Sequence, residues 1–213
     1  MKNIAAIRKE YIFQTLEESD TAGNPISQFE NWWQQALESD IEEVNAMTLA
    51  TVNANGKPSA RIVLLKGFDE NGFVFFTNYQ SHKGSDINSN PNVSLVFFWK
   101  ELERQVRIDG IAEAISAAES DIYFNSRPES SKIGAWASPQ STEIENRKVI
   151  ENNAGKYEAE FNGKEITRPP HWGGYIVKPG KVEFWQGRPS RLHDRIVYML
   201  NGKNEWKKVR LAP

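Results

Sequence analysis

Cysteine is absent from this 213-residue chain, so no disulfide framework, zinc–thiolate site, iron–sulfur cluster or thiol nucleophile can be built. Three histidines are too few for a histidine-rich metal site, and no metal is expected. Neither charge sign dominates. Lys+Arg number 26 against 28 Asp+Glu, a net charge of −2. That balance excludes a strongly basic nucleic-acid module and an acidic tail protein. No apolar run reaches about 18 residues, so no membrane span is expected. Met1–Arg8 lacks the apolar stretch of a signal peptide, and a cytoplasmic protein is expected. The phosphate loops G-x-x-x-x-G-K-[ST] and G-x-G-x-x-G and the hydrolase elbow G-x-S-x-G are also missing, which argues against P-loop, dinucleotide-binding and serine-hydrolase folds.

Aromatic residues are plentiful at 11%, seven of them Trp. Such flat side chains suit a large core, an interface or a ring-shaped ligand. Residues 1–23 read as an N-terminal arm, with a short helix or ordered stretch around Ile7–Leu16 and a linker at Glu17–Gly23. Asn24-Pro25 looks like an N-cap followed by proline at the first helical position, and Ser27 and Glu30 have capping-box spacing. Ile26, Phe29, Trp33, Ala36 and Leu37 then recur at helical intervals, predicting an amphipathic helix over 25–39, with Trp32 and Trp33 in core packing.

From Ala46 the period changes to two. Strands are expected at Met47–Asn53, Ser59–Lys66, Phe73–Asn78, Val93–Lys100 and Arg104–Ile115, with turns at Asn55-Gly56 and Asn71-Gly72. Helices follow at Ala117–Asn125, Glu129–Ala137 and Thr142–Phe161, the last charged and mostly exposed. Strands Trp172–Val177 and Lys181–Gln186 flank a Pro179-Gly180 turn, and Arg191–Leu200 and Trp206–Leu211 form a hairpin through Asn201-Gly202. Short turns between strands argue for an antiparallel sheet curling into a barrel. The expectation is one mainly β domain over 24–213 with peripheral helices.

Four segments could carry chemistry. In Arg61-Ile62-Val63-Leu64-Leu65-Lys66 two cations bracket four apolar residues. Five positions apart on a strand they face opposite ways, so one points inward or sits at a strand end, where it needs an anionic partner. A solvated strand-end pair is the other reading. Ser81-His82-Lys83-Gly84 follows a strand and opens a helix, a natural seat for phosphate, although a simple helix cap explains Ser81 equally well. Tyr123, Arg127 and Ser131, with Ser130 and Lys132 beside them, could converge on one anion from consecutive turns, or form an ordinary polar helix surface. Lastly, Arg188, Arg191, His193 and Arg195 crowd together after Trp185. Were 191–195 extended, Arg191, His193 and Arg195 would share a face and repel without an anion, which suits a phosphate or a ring that gains negative charge.

At this point the pattern resembles a known family. Glu183-Phe184-Trp185-Gln186, four residues, then Arg191-Leu192-His193-Asp194-Arg195 looks like the signature of the pyridoxamine 5′-phosphate oxidases. Arg61–Lys66, Glu103–Arg107, Tyr123–Pro128, Ile133–Ser138, Gln140-Ser141 and Arg210–Pro213 also match, in order and from about Arg8 to the end.

The resemblance implies an FMN-binding split barrel, a homodimer with two FMN sites at the subunit interface. It implies oxidation of pyridoxamine or pyridoxine 5′-phosphate to pyridoxal 5′-phosphate, with oxygen reoxidising the flavin to give hydrogen peroxide, and ammonia from the amine. Carried over, Arg61, Ile62, Val63, Leu64, Leu65 and Lys66 would line FMN, Arg61 near its phosphate. Phe76, Thr77, His82 and Lys83 would complete that side and Gln105 would contact the ring. Gln140, Ser141, Trp185 and Arg195 would reach FMN, some from the second subunit. Lys66, Tyr123, Arg127 and Ser131 would hold the substrate phosphate. Arg191 and His193, the implied catalytic pair, would lie with Leu192 by the pyridine ring. Arg8, Lys9, Glu10 and Tyr11 look like the family's substrate-contacting arm. His82 departs from the family, which usually has a second basic Arg there. Two alternatives remain: a related split-barrel flavin oxidase of the phenazine-precursor type, or a non-catalytic carrier of FMN or pyridoxal phosphate.

Overall fold

In the computed structural model, which describes residues 3–6 and 10–213, the Asn24 side chain caps the first helix by accepting the Ser27 N–H at 2.9 Å. Pro25 takes the first helical position, where no N–H is needed. Helix α1 is Pro25–Leu37, and Ser27 serves as the group that Asn24 caps rather than as a cap itself. The strands that follow are β1 (Ala46–Val52), β2 (Pro58–Leu64), β3 (Gly67–Asp69) and β4 (Gly72–Asn78). After α2 (His82–Ser89) come β5 (Asn92–Trp99) and β6 (Arg104–Ala114). Helices α3 (Ala117–Asn125), α4 (Glu129–Ala137) and α5 (Lys148–Phe161) precede β7 (Trp172–Gln186), β8 (Asp194–Leu200) and β9 (Trp206–Arg210). Strand order is β2-β1-β5-β6-β7-β4-β3, with β8 on β7 and β9 on β8. The mainly β expectation with peripheral helices is what the chain forms, and no helix among the described residues is long and apolar enough to cross a membrane.

The chain divides into two compact units. One holds the residues up to Leu49, Ser94–Gly110 and Pro179–Pro213. Its core is aromatic: Phe29 of α1 meets Phe97 at 5.2 Å between ring centroids, and Trp32 stands edge-on to Phe184 at 5.2 Å. Burying a Phe of this kind contributes about 1.5–3 kcal/mol. The other unit, Ala50–Val93 and Ile111–Lys178, is built around Phe73 and Phe75 of β4, Phe124 of α3 and Val177 of β7, none of them exposed.

Several expected boundaries move. Residues 10–17 form no regular helix, and the expected linker at Glu17–Gly23 is pinned: the Tyr198 hydroxyl donates to Ala22 O at 2.7 Å and Arg210 Nη2 to Leu16 O at 2.9 Å. Helix α5 starts at Lys148 rather than Thr142, because the short polar residues before it turn locally, Thr142 N–H donating to Pro139 O. Pro179-Gly180 is no turn. Strand β7 runs straight through it, pairing β4 over Trp172–Val177 and β8 over Lys181–Gln186. Proline, which has no N–H, therefore stands where the strand changes partner. The last hairpin closes through five residues, Asn201–Glu205, with Asn201 Oδ1 accepting the N–H groups of Lys203 and Glu205.

Candidate active site

The second unit contains a cavity of about 680 Å³. Ile62, Val63 and Leu64 of β2 and Lys66 just beyond it form one wall. Phe76 and Thr77 from the end of β4 and Lys83 of α2 form the next. Tyr123, Arg127, Ser131 and Gln140 complete the lining from the helical side. Pro128 stops α3 and opens α4, so Tyr123, Arg127 and Ser131 come from two short helices and their connector rather than from one helix, and Gln140 follows just beyond α4. Eleven of the residues singled out by sequence thus line one cavity.

Its first cationic group is Lys83. Lys83 Nζ donates to Ser81 Oγ and to Gln140 Oε1, each at 3.2 Å. Ser81 caps α2, accepting the Gly84 N–H at 3.3 Å. A Cβ on Gly84 would stand 2.2 Å from Tyr79 O, so only glycine lets the helix start this close to the end of β4. Arg61 does not line the cavity. Its guanidinium donates to Thr51 Oγ1 at 2.8 Å and Ser59 Oγ at 2.7 Å and lies 3.8 Å from buried Asp86. Asp86 is the anionic partner that the sequence required of this cation without identifying it. Burial pushes the pKa values of both Arg61 and Lys83 down, and the charge of Arg61 lowers Lys83 further. Arg61 has Asp86 as its counter-charge and still repels neighbouring Lys83, an arrangement that an added anion relieves.

The second cationic group is Arg127. Trp172 stacks on Phe76 at 5.4 Å and Phe76 on Tyr123 at 3.9 Å, and the Arg127 guanidinium lies 4.6 Å from the Trp172 ring centroid. Arg168 steadies this stack, donating to Trp172 O and Asp121 Oδ1 at 2.6 Å each. Arg127 Nη1 is buried with no hydrogen-bond partner, and burial lowers the pKa of the guanidinium. An unpartnered buried donor costs about 1–3 kcal/mol, more for a charged group, unless something binds it. An anionic oxygen, such as that of a phosphate, is the kind of acceptor this donor lacks.

A further cluster lies in the first unit. The Trp185 and His193 rings are 4.5 Å apart, and Tyr11 packs edge-on to both, at 5.7 and 5.9 Å. His193 Nδ1 accepts the Arg188 N–H at 3.1 Å. Here the sequence expectation is corrected. Residues 191–195 are not one extended face: Ser190 and Arg191 both have positive φ, 55° and 63°, and Arg191 projects from a turn while Arg195 lies on β8. Nor are the cations without carboxylates. Buried Glu183 takes both Arg195 Nε and Nη2, at 3.2 and 2.9 Å, and Asp194 faces Arg188 and Arg210.

Some expected residues stand apart. Leu65 is buried core, and His82, exposed at the start of α2, lies 3.6 Å from Asp86. Ser141, Ser130, Glu10 and Leu192 are exposed, Lys132 lies outside the cavity lining, and Gln105 is half-buried on β6 in the other unit. Arg8 and Lys9 lie outside the described residues. Sequence reasoning missed the roles of Asp86 and Glu183 as counter-charges and the cavity-lining Trp172. The run Trp172-Gly173-Gly174 was the available signal, since a Cβ on Gly174 would come within 2.8 Å of Phe76.

Comparison with known proteins places this geometry. The family model described as "Pyridoxamine 5'-phosphate oxidase" matches residues 33–159. The chain belongs to the pyridoxamine 5′-phosphate oxidase family. The model of the pyridoxine 5′-phosphate oxidase C-terminal dimerisation region matches residues 172–213, which supports a homodimer. Relatives named pyridoxine/pyridoxamine 5′-phosphate oxidase include those of Cupriavidus metallidurans, 54% identical, and Polynucleobacter asymbioticus, 55% identical, each over 213 residues and all of both chains. Oxidase activity in vitamin B6 metabolism, with FMN as cofactor, is what membership of the family carries. Among solved structures, PhzG from Burkholderia lata in complex with tetrahydrophenazine-1-carboxylic acid superposes with a TM-score of 0.89 at 29% identity, over 96% of this chain and all of that one. A pyridoxamine 5′-phosphate oxidase-related, FMN-binding protein from Nostoc punctiforme has a TM-score of 0.71 at 18% identity, over 91% of this chain and all of that one. These likenesses bear out the expected split-barrel fold.

Proposed function

We propose that the chain oxidises pyridoxine or pyridoxamine 5′-phosphate to pyridoxal 5′-phosphate, with oxygen as acceptor yielding hydrogen peroxide, and with water consumed and ammonia released from the amine. FMN, when bound, supplies at N5 the acceptor for the hydride leaving substrate C4′.

Two phosphates have to be held, each carrying about −1.5 to −2 charge near neutral pH. Lys83, with Arg61 behind it and the Ser81 cap beside it, would hold the cofactor phosphate. Ile62, Val63, Leu64, Phe76, Thr77 and Gln140 would line the cofactor. Lys66, Tyr123, Arg127 and Ser131 would hold the substrate phosphate. The unpartnered buried Nη1 of Arg127 is the observation that carries this reading, because a charge-assisted hydrogen bond there is worth about 1.5–3 kcal/mol. In the dimer, Gln105, Ser141, Trp185 and Arg195 would reach the cofactor, some from the second subunit, and Leu65 and His82 would support its seat from behind. Arg191 and His193, with Leu192 and the arm Arg8–Tyr11, would hold the pyridine ring. His193, neutral and donating through Nε2, would orient the ring, and Arg191 would stabilise the negative charge gained on the acceptor side of the hydride transfer.

The PhzG likeness favours a second reading, oxidation of a phenazine precursor in the same fold. A substrate without phosphate has no use for the unpartnered Arg127, which favours the vitamin substrate. A carrier of FMN or pyridoxal phosphate would bind and not turn over. The test is turnover by the FMN-loaded protein: one hydrogen peroxide per pyridoxal phosphate formed supports the proposal, and no peroxide from either phosphorylated substrate overturns it.

A further inference from the structure

Glu103 stands in the left-handed region, φ 55°, and is buried with 4% of its surface exposed. Its side chain turns to the N-terminal arm. Glu103 Oε2 accepts the Ile12 N–H at 2.8 Å and the Phe13 N–H at 3.0 Å. Its carbonyl accepts the Gly187 N–H at 2.7 Å, tying the same residue to the end of β7. The next residue continues the grip. The buried Arg104 guanidinium, 4.4 Å from the Trp32 ring centroid, donates to Gln186 Oε1, Gln35 Oε1 and Gln14 Oε1. Burial in this apolar setting lowers its pKa to about 10.

This grip has a consequence one residue upstream. With Ile12 and Phe13 held, Tyr11 lies on the bare Cα of Gly187, where a Cβ would come within 2.7 Å of the Tyr11 ring. From there Tyr11 meets Trp185 and His193. One buried carboxylate therefore fixes a backbone segment to the end of β7, where Trp185 packs on the His193 imidazole.

We propose that Glu103 is a positioning residue that acts on substrate binding through Tyr11. It latches the arm by its two backbone N–H groups and thereby holds the Tyr11 ring against His193. The functional half of this proposal rests on the reading above that Tyr11 and His193 face the substrate. The latch itself does not.

The test uses the full-length, FMN-loaded protein. Glu103→Gln keeps the side-chain size and the backbone conformation but removes the charge from both bonds, and Glu103→Ala removes the bonds themselves. Hydrogen exchange of a peptide covering Ile12–Leu16 should quicken by about tenfold or more in Glu103→Ala and by less in Glu103→Gln, which still reports if the alanine variant does not fold. The KM for pyridoxine 5′-phosphate should rise by about tenfold with kcat within about twofold. Combined with Tyr11→Ala, Glu103→Ala should raise KM no further than Tyr11→Ala alone, because both act through one contact. Unchanged exchange overturns the latch. Quickened exchange with additive effects on KM overturns action through Tyr11. If Tyr11→Ala alone leaves KM unaltered, the substrate-facing reading falls and the functional half of the proposal falls with it.

Discussion

The backbone N–H of Arg188 donates to His193 Nδ1 at 3.1 Å, so the neutral ring carries its proton on Nε2. Partial burial lowers the imidazole pKa, the charge of Arg191 acts the same way, and Asp194 opposes them. The unfolded chain takes up this proton near its ordinary value of 6.5 and the folded chain resists it. The neutral ring's contribution to stability is thus complete above pH 6.5 and declines as pH falls toward the lowered value. An NMR titration should give a His193 midpoint below 6.5, and Arg191→Gln should bring it back up. A midpoint above 6.5 would contradict the lowering by burial and Arg191.

On the proposed reading, Arg127 trades stability for binding. Arg127→Met removes a buried donor that has no partner while keeping an apolar surface against Trp172. The variant's KM for pyridoxine 5′-phosphate should rise about 10- to 100-fold, the loss of a charge-assisted hydrogen bond. Its ligand-free melting temperature should be no lower than that of the native chain. A lower melting temperature with an unchanged KM would assign Arg127 to structure alone.

His82 sits on α2 beside Asp86, the carboxylate that also faces Arg61. His82→Arg places a permanent guanidinium there. FMN should bind the variant more tightly than the native chain at neutral pH. Flavin titrations of the two proteins check this, and equal or weaker binding by the variant contradicts it.

The arm has an acid limit. Arg210 donates to both oxygens of Glu18 at 2.7 Å and holds that carboxyl at about 2, against an ordinary 4.5. A depressed carboxylate stabilises the fold above its unfolded pKa, and the contribution is lost as pH falls through the folded one. The melting-temperature difference between the native chain and Glu18→Gln should be constant above pH 4.5 and should shrink toward pH 2. A difference that grows on acidification would contradict the clamp.

Local signals carried much of this fold. Ser116, with its capping box, and Pro128 mark the ends of α3 and α4, and the expected bounds 117–125 and 129–137 are those observed. Alternation and turn residues likewise located most strands. What failed depended on distant partners. Whether Pro179 breaks a strand depends on which neighbours pair on either side of it, and those lie far away in sequence. Whether Arg191, His193 and Arg195 share a face depends on two residues in the left-handed region that no side-chain pattern announces. The cavity residues were legible because each belongs to a short motif. The counter-charges of Arg61 and Arg195, Asp86 and Glu183, were not, since a buried carboxylate in sequence does not say which cation it meets.

The central claim is that this chain removes a hydride from a phosphorylated pyridine substrate. The most direct test is anaerobic: pyridoxine 5′-phosphate is added to the FMN-loaded protein without oxygen and the visible absorbance of the flavin is followed. Bleaching that is reversed by air is the predicted result. A protein that keeps its bound FMN and stays yellow, with pyridoxine 5′-phosphate and with pyridoxamine 5′-phosphate alike, would contradict it.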